Sequence, residues 1–192
     1  MEVIRKVKIK VGTDAFLVGD QITVSLKGFG KFTATAQEVT EKGTLFFFDT
    51  CLPEVHRINR RPSNEGGFNA SELCEWLNTK LLAAFPTQIR NKMTQDASGN
   101  LVTIPTYGQL FGGPIDDWDR DHIEIDSARQ LPLMKDRKNR MCGFDLDYWL
   151  QNSLQRRYSD ESFAYVDEMG GYVCNECVTY YVYVRPVFIL GK

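Results

Sequence analysis

The chain predicts an α+β fold in which strands at both ends enclose one clear helix and a long run of loops. Three observations carry that expectation. Residues 1–50 alternate apolar and polar side chains between glycine turns. Residues 69–86 hold a single amphipathic helical repeat. Residues 148–192 return to alternation, rich in aromatic and β-branched side chains. At 192 residues, with 43% hydrophobic and 25% charged side chains, the chain can bury a sizeable core and has the balance of an ordinary globular domain. Residues 1–50 are expected to form a β segment that is part of, or packed on, a main domain spanning 51–192.

Within the first 50 residues, Val3, Val7, Ile9 and Val11 fall on alternate positions, and Ile22-Thr23-Val24-Ser25-Leu26 repeats the pattern. Lys27-Gly28-Phe29-Gly30-Lys31 turns the chain into Phe32-Thr33-Ala34-Thr35-Ala36, a hairpin. Lys42-Gly43 turns it again into Thr44-Leu45-Phe46-Phe47-Phe48-Asp49, apolar on both faces and so a buried central strand. Residues 54–67 are polar, include Pro62 and paired glycines, and read as a long loop. In the helix, Asn69 with Glu72 fits a capping box and Ser71 is an alternative cap. Leu73, Leu77 and Leu81 share a face with Trp76 and Ala84, and Pro86 closes the segment. A short helical piece is expected at 87–92, before a turn at 96–100. From 101 to 147 loops dominate around one strand, Leu101-Val102-Thr103-Ile104-Pro105. Loops of that length in a compact domain commonly carry function.

Charge narrows the partners. The net charge is −2, whereas a general nucleic-acid binder needs clustered cations to displace counterions, so no nucleic-acid partner is expected. The basic groups Arg57 with Arg60-Arg61, and 135–140, are short and have acidic neighbours, as solvated faces do. Residues 1–8 alternate charged and apolar side chains, which predicts neither a signal peptide nor membrane insertion, and a chain made in the cytoplasm. Among the five cysteines Cys51, Cys74 and Cys142 stand apart in sequence and are expected to be free thiols.

Each candidate for chemistry has a plainer competitor. Cys174-Asn175-Glu176-Cys177 has CxxC spacing, but it lies in a strand-and-turn context with no second ligand pair. Asp116-Asp117-Trp118-Asp119-Arg120-Asp121 spaces carboxylates as calcium loops do, yet lacks the glycine and the bidentate Glu of such loops, so a solvated acidic loop is favoured over a calcium site. Neither His56 nor His122 is paired by sequence with a nucleophile. No phosphate-binding glycine loop opens a helix. No catalytic residue, metal or cofactor is therefore expected.

The tyrosines are the positive signal. Tyr158, Tyr165, Tyr172, Tyr180, Tyr181 and Tyr183 crowd one segment and alternate with small polar residues. Tyr offers a large amphipathic surface with two side-chain torsions, so it loses little entropy on gripping a partner. A half-buried strand can show the same composition. Read as one strand, 178–185 would turn Val178, Tyr180, Val182 and Val184 to the core. Thr179, Tyr181, Tyr183 and Arg185 would face the other way, with Tyr181 and Tyr183 the more exposed rings. Arg185 before Pro186 is expected to be a buried, hydrogen-bonded scaffold residue, and Trp76, Trp149 and Phe188 to be core.

Several segments together resemble a bacterial and phage domain family that supplies variable proteins of diversity-generating retroelements. They are Gly66-Gly67-Phe68-Asn69-Ala70-Ser71-Glu72 running into Trp76-Leu77-Asn78 and Phe85-Pro86; Ile104-Pro105-Thr106 with Leu110-Phe111-Gly112; and Asp136-Arg137-Lys138-Asn139-Arg140 before Tyr148-Trp149-Leu150. Phe163-Ala164-Tyr165-Val166, Gly170 and Val184-Arg185-Pro186 complete the set, over residues 60–190. Residues 17–50 are similar to the family's leading β segment. Gln151-Asn152 replaces the family's usual Arg-Ser, and its Asn-rich template tract is absent, which fits a fixed relative or one selected variant.

The resemblance implies a C-type-lectin-like fold and a phage or prophage origin. Its varied interval corresponds to 151–183, the segment that holds the tyrosines. On that basis ligand contact is assigned to Tyr158, Asp160, Tyr165, Asp167, Tyr172, Asn175, Thr179, Tyr181 and Tyr183. The expected function is non-enzymatic recognition of a surface protein or glycan. The alternatives are a virion or assembly component using the aromatic face between protomers, and a cysteine-dependent oxidase of the formylglycine-generating type sharing the fold.

Overall fold

The computed structural model describes residues 16–143, 146–169 and 173–192. The expected strand through Val3, Val7, Ile9 and Val11, and the Gly170 of the family resemblance, lie outside the described residues. The architecture is α+β, with short helices and loops packed on two sheets.

The first sheet starts with three antiparallel strands, β1 (Gln21–Leu26), β2 (Gly30–Thr40) and β3 (Gly43–Phe48). Val24 and Leu26 are buried while Thr23 and Ser25 are exposed, the alternation expected of a half-buried strand. Gly43 begins β3 with φ 140°, and a Cβ there would collide with the Leu190 carbonyl oxygen, so the turn requires glycine. β3 is central and buried on both faces, as its apolar run predicts: Phe46 and Phe48 enter one core, Phe47 the other.

The C-terminal strand β11 (Val187–Leu190) lies antiparallel beside β3. Its other edge is shared by β6 (Val102–Thr103), opposite Val187 and Phe188, and β5 (Met93–Thr94), opposite Ile189 and Leu190. The first and last parts of the chain are thus stitched into one sheet, and 49–186 is the excursion between them.

The second sheet runs in the order β4 (Val55–His56), β10 (Val182–Tyr183), β7 (Tyr148–Ser153), β8 (Ser162–Val166) and β9 (Val173–Cys177). The β10–β7 contact is parallel and the other pairings are antiparallel. Strand alternation divides its side chains between the cores: Trp149 and Phe163 join one, Tyr148, Leu150, Ala164 and Val166 the other.

The predicted helix forms over 72–84. Its cap is Ser71, whose hydroxyl accepts from Cys74 N at 3.1 Å, and not Asn69. The Asn69 amide bonds Ser98 and Asn100 instead, and so braces the 96–100 turn. Leu73, Leu77, Leu81 and Ala84 are buried along the expected face. The turn Leu77–Leu81 is π-helical, and the Asn78 side chain ties it to β6 through Leu101 N, Val102 N and Val102 O. A second short helix follows at Thr87–Arg90.

Between 101 and 147 the chain is more ordered than expected. Short helices occupy Tyr107–Phe111, Asp117–His122 and Arg137–Arg140. The Asp-rich patch is one of them: Asp116 caps the helix, and Asp119 is buried, accepting from the Tyr107 hydroxyl. Helices of four to six residues carry too little periodicity to be read, although Thr106 with Gln109 forms a full capping box.

Two expectations about the cysteines and the last strand need correction. Cys51 and Cys142 form a disulfide across 91 residues, with Cα atoms 5.4 Å apart; Cys74, Cys174 and Cys177 are free. Distance in sequence concealed the pair, which folding brings together where β3 ends and the approach to β7 begins. The expected strand over 178–185 is interrupted. Tyr180 N donates to Cys177 O in a turn, so Tyr180 leaves the inward series and is 57% exposed. Val178, Val182 and Val184 are buried as expected, whereas Tyr183 is half-buried against the second core.

Arg185 meets its expectation. Its guanidinium is buried and donates to the carbonyls of Phe48 (2.8 Å) and Asn139 (3.0 Å), and lies over the Phe47 and Tyr148 rings. Among the described residues no helix is long and apolar enough to cross a membrane.

Candidate functional site

β4 and β10 pair at one margin of the second sheet, with Val182 opposite His56 and Tyr183 opposite Val55. The pairing sets Tyr181, the residue before β10, across from the start of the 72–84 helix. Between them runs an open groove of about 670 Å³, lined by His56, Arg57, Arg60, Glu72, Leu73, Glu75, Trp76, Thr79, Lys80 and Tyr181.

Aromatic side chains form much of its wall. The His56 ring lies 3.9 Å from the Trp76 ring between centroids, and Phe29 meets Trp76 edge-on at 6.0 Å. Tyr181 is 59% exposed, with the Arg57 guanidinium 5.4 Å from its ring centroid. Trp76, expected in the core, is only half-buried. It sits where the helix's apolar stripe gives way to Glu75, Thr79 and Lys80, so part of its indole faces the groove.

The charges are unevenly satisfied. Glu72 is engaged twice by Arg60, through its backbone N–H and its guanidinium, each at 3.2 Å. Arg57 and Lys80 have no carboxylate within ion-pair distance among the described residues, and neither does Glu75 have a cation. His56 Nε2 is buried without a hydrogen bond, 3.7 Å from the Glu54 carboxylate. Burial holds the imidazole below its ordinary value of 6.5, against the smaller upward pull of Glu54.

A second depression of about 390 Å³ lies beside Phe29 and Tyr183, and reaches Phe32, Leu52 and the Cys51 end of the disulfide. Tyr181 and Tyr183 therefore border two neighbouring concavities, with Phe29 contacting Trp76 of the first and lining the second.

The other residues assigned to ligand contact are dispersed. Tyr158 is 52% exposed but belongs to another aromatic cluster, edge-on to His122 at 3.9 Å and to Trp118 at 5.9 Å. Asp160 is exposed, and its carbonyl accepts from Asn64 N. Tyr165 is half-buried, edge-on to Trp149 at 6.3 Å, and burial raises its phenol pKa. Asp167 is half-buried. Asn175 is half-buried opposite Ala164 in the β8–β9 ladder, and Thr179 is half-buried with its hydroxyl 3.3 Å from Cys177 Sγ. Tyr172 lies outside the described residues. Of the eight that are described, only Tyr181 lines the main groove. His56, Arg57 and Trp76, which sequence reasoning did not assign, join it there. The available signal was the position of Trp76, flanked by charged residues at the border of a helical stripe.

Cys174 and Cys177 share β9 and line neither depression. Burial raises the Cys174 pKa, with the Tyr165 hydrogen bond a smaller effect in the opposite direction, so its thiol is held protonated. Among the described residues no cluster of three or more His, Cys, Asp or Glu side chains is placed to hold a metal ion.

One protein-family model matches residues 42–192, and it describes a domain of unknown function, DUF6273. No curated protein and no solved structure matches the chain.

Proposed function

The chain belongs to the DUF6273 family, and we propose that it is a non-enzymatic recognition protein that binds a surface protein or glycan. Contact would be made through the face where Tyr181 meets the 72–84 helix. The observation that carries this reading is the placement of Tyr181: a largely exposed ring on the wall of a groove that also holds Trp76 and His56. Aromatic walls supply buried area on binding, and the charged rim supplies orientation. Tyr180, also exposed, extends the surface.

The finer fold assignment belongs to the same proposal. A C-type-lectin-like arrangement is supported by the joining of β3 and β11 in one sheet and by the long excursion braced by the disulfide and Arg185. Phage or prophage origin rests on the sequence resemblance. The oxidase alternative has less support, since the Cys174 thiol is held protonated and stands apart from the groove.

The test is a glycan and cell-surface binding screen with Tyr181→Ala and Tyr183→Ala proteins alongside the native one. Binding that drops about tenfold or more with Tyr181→Ala is expected for a ring at the centre of a contact. Binding that ignores both substitutions, or a stable oligomer that hides Tyr180 and Tyr181 in sedimentation, overturns the reading, the latter in favour of an assembly role.

A further inference from the structure

Resting on that recognition reading, we infer that the groove takes an acidic saccharide: a pyranose ring bearing a carboxylate. The argument begins with what the fold leaves unused. Glu72 already holds Arg60, so those two charges are internally satisfied. Among the described residues, Arg57 and Lys80 line the same groove without a carboxylate partner, against one groove carboxylate, Glu75, without a cation. Unpaired cations on an aromatic wall favour an anion that also presents an apolar face, because the cation pairs the charge while the ring covers the apolar surface.

Shape and backbone usage separate a saccharide from a peptide. An extended peptide binds by adding main-chain hydrogen bonds to a strand edge. Here the backbone beside the groove is already paired. Ile58 O accepts from Leu73 N at 3.1 Å, Asn59 N donates to Val178 O at 3.0 Å, and Arg60 N donates to Glu72. The 72–84 helix and the Val178 carbonyl thus occupy the backbone groups at 58–60 that a peptide strand laid in the groove would use. What remains open is side-chain surface: the exposed part of the Tyr181 ring with Arg57 against it, the part of Trp76 that faces the groove, the Lys80 ammonium, and the Glu75 carboxylate and Thr79 hydroxyl. Flat aromatic faces suit the C–H face of a sugar ring, and Glu75 can accept from its hydroxyls.

The experiment titrates the native protein with a glucuronate-containing tetrasaccharide and with the same chain after its carboxyls are reduced to the neutral sugar. The acidic form is expected to bind about tenfold more tightly, by the worth of one charge-assisted contact, and its affinity is expected to fall as salt rises. Lys80→Gln, an exposed substitution, and Arg57→Gln are each expected to shrink the difference, and Tyr181→Ala to weaken both ligands. Thermal unfolding of each variant separates misfolding from lost contact.

Equal affinity for the two saccharides, or an acidic preference that survives both charge substitutions, overturns the inference. So does a groove that takes an acidic peptide and neither saccharide. If neither saccharide binds while a surface protein binds in a Tyr181-dependent way, the ligand class is wrong and the recognition reading stands. If Tyr181→Ala changes nothing with any ligand, both fall.

Discussion

Arg185 has a buried guanidinium with no carboxylate partner among the described residues, and carbonyl oxygens and ring faces satisfy it. It spans the exit of β3 at Phe48 O, the 137–142 segment at Asn139 O and β7 through the Tyr148 hydroxyl. Replacing it with Ala would strand those carbonyls, and a loss of about 3 kcal/mol in unfolding free energy is expected. Lys offers a point charge in place of a planar fork, so Arg185→Lys should recover little; denaturant titration of the two variants checks both statements. His56 makes a different prediction. Its imidazole is held below 6.5 by burial, so the neutral ring stabilises the fold above that pH, and the contribution is lost as pH falls through the lowered pKa. The charged groups around it are Glu54 at 3.7 Å on its own segment, with Arg57, Arg60, Glu72, Glu75 and Lys80 lining the same groove. Thermal stability should decline on acidification below 6.5, and His56→Asn should flatten that decline. An unchanged slope would show that His56 is not the titrating group.

Elements differ in how plainly the sequence announces them, and the difference follows from how many residues share one physical cause. β3 could be read because five of its six residues are buried for one reason, and the 72–84 helix because Leu73, Leu77 and Leu81 repeat its period. The helices Tyr107–Phe111 and Asp117–His122 span barely more than a turn, and their caps at Thr106 and Asp116 were outweighed by surrounding polarity. The turn after Cys177 is made by one hydrogen bond, Tyr180 N to Cys177 O, in a run whose alternation continues through it, so its place was not legible to the residue. The groove was only half legible. Tyr181 stood out by composition, whereas His56 comes beside it through the pairing of β4 with β10, which sets His56 opposite Val182, more than a hundred positions away in sequence. The Cys51–Cys142 link was hidden for the same reason. Because it closes a long loop, its removal in a Cys51→Ser, Cys142→Ser protein should cost about 2–4 kcal/mol, read by thermal unfolding with and without reductant. The native protein should lose that increment on reduction, and the double variant should be indifferent to it.

At the scale of the whole molecule, the sheet joining β3 to β11 provides a shared base, and the excursion over 49–186 returns to it under three constraints: the disulfide, Arg185 and the β4–β10 pairing. The groove lies where two of the excursion's parts meet, the helix and the turn that carries Tyr181. A binding face built on constrained parts spends little ordering entropy when a partner arrives. The most direct measurement compares binding to any captured glycan or surface protein among native, Tyr181→Ala, Trp76→Ala and Tyr158→Ala proteins, each first checked for native thermal unfolding. The groove account predicts loss of about tenfold or more for the first two substitutions and near-native binding for Tyr158→Ala, whose ring belongs to the Trp118–His122 cluster. Binding that fails only with Tyr158→Ala, and persists without Tyr181 and Trp76, would contradict it.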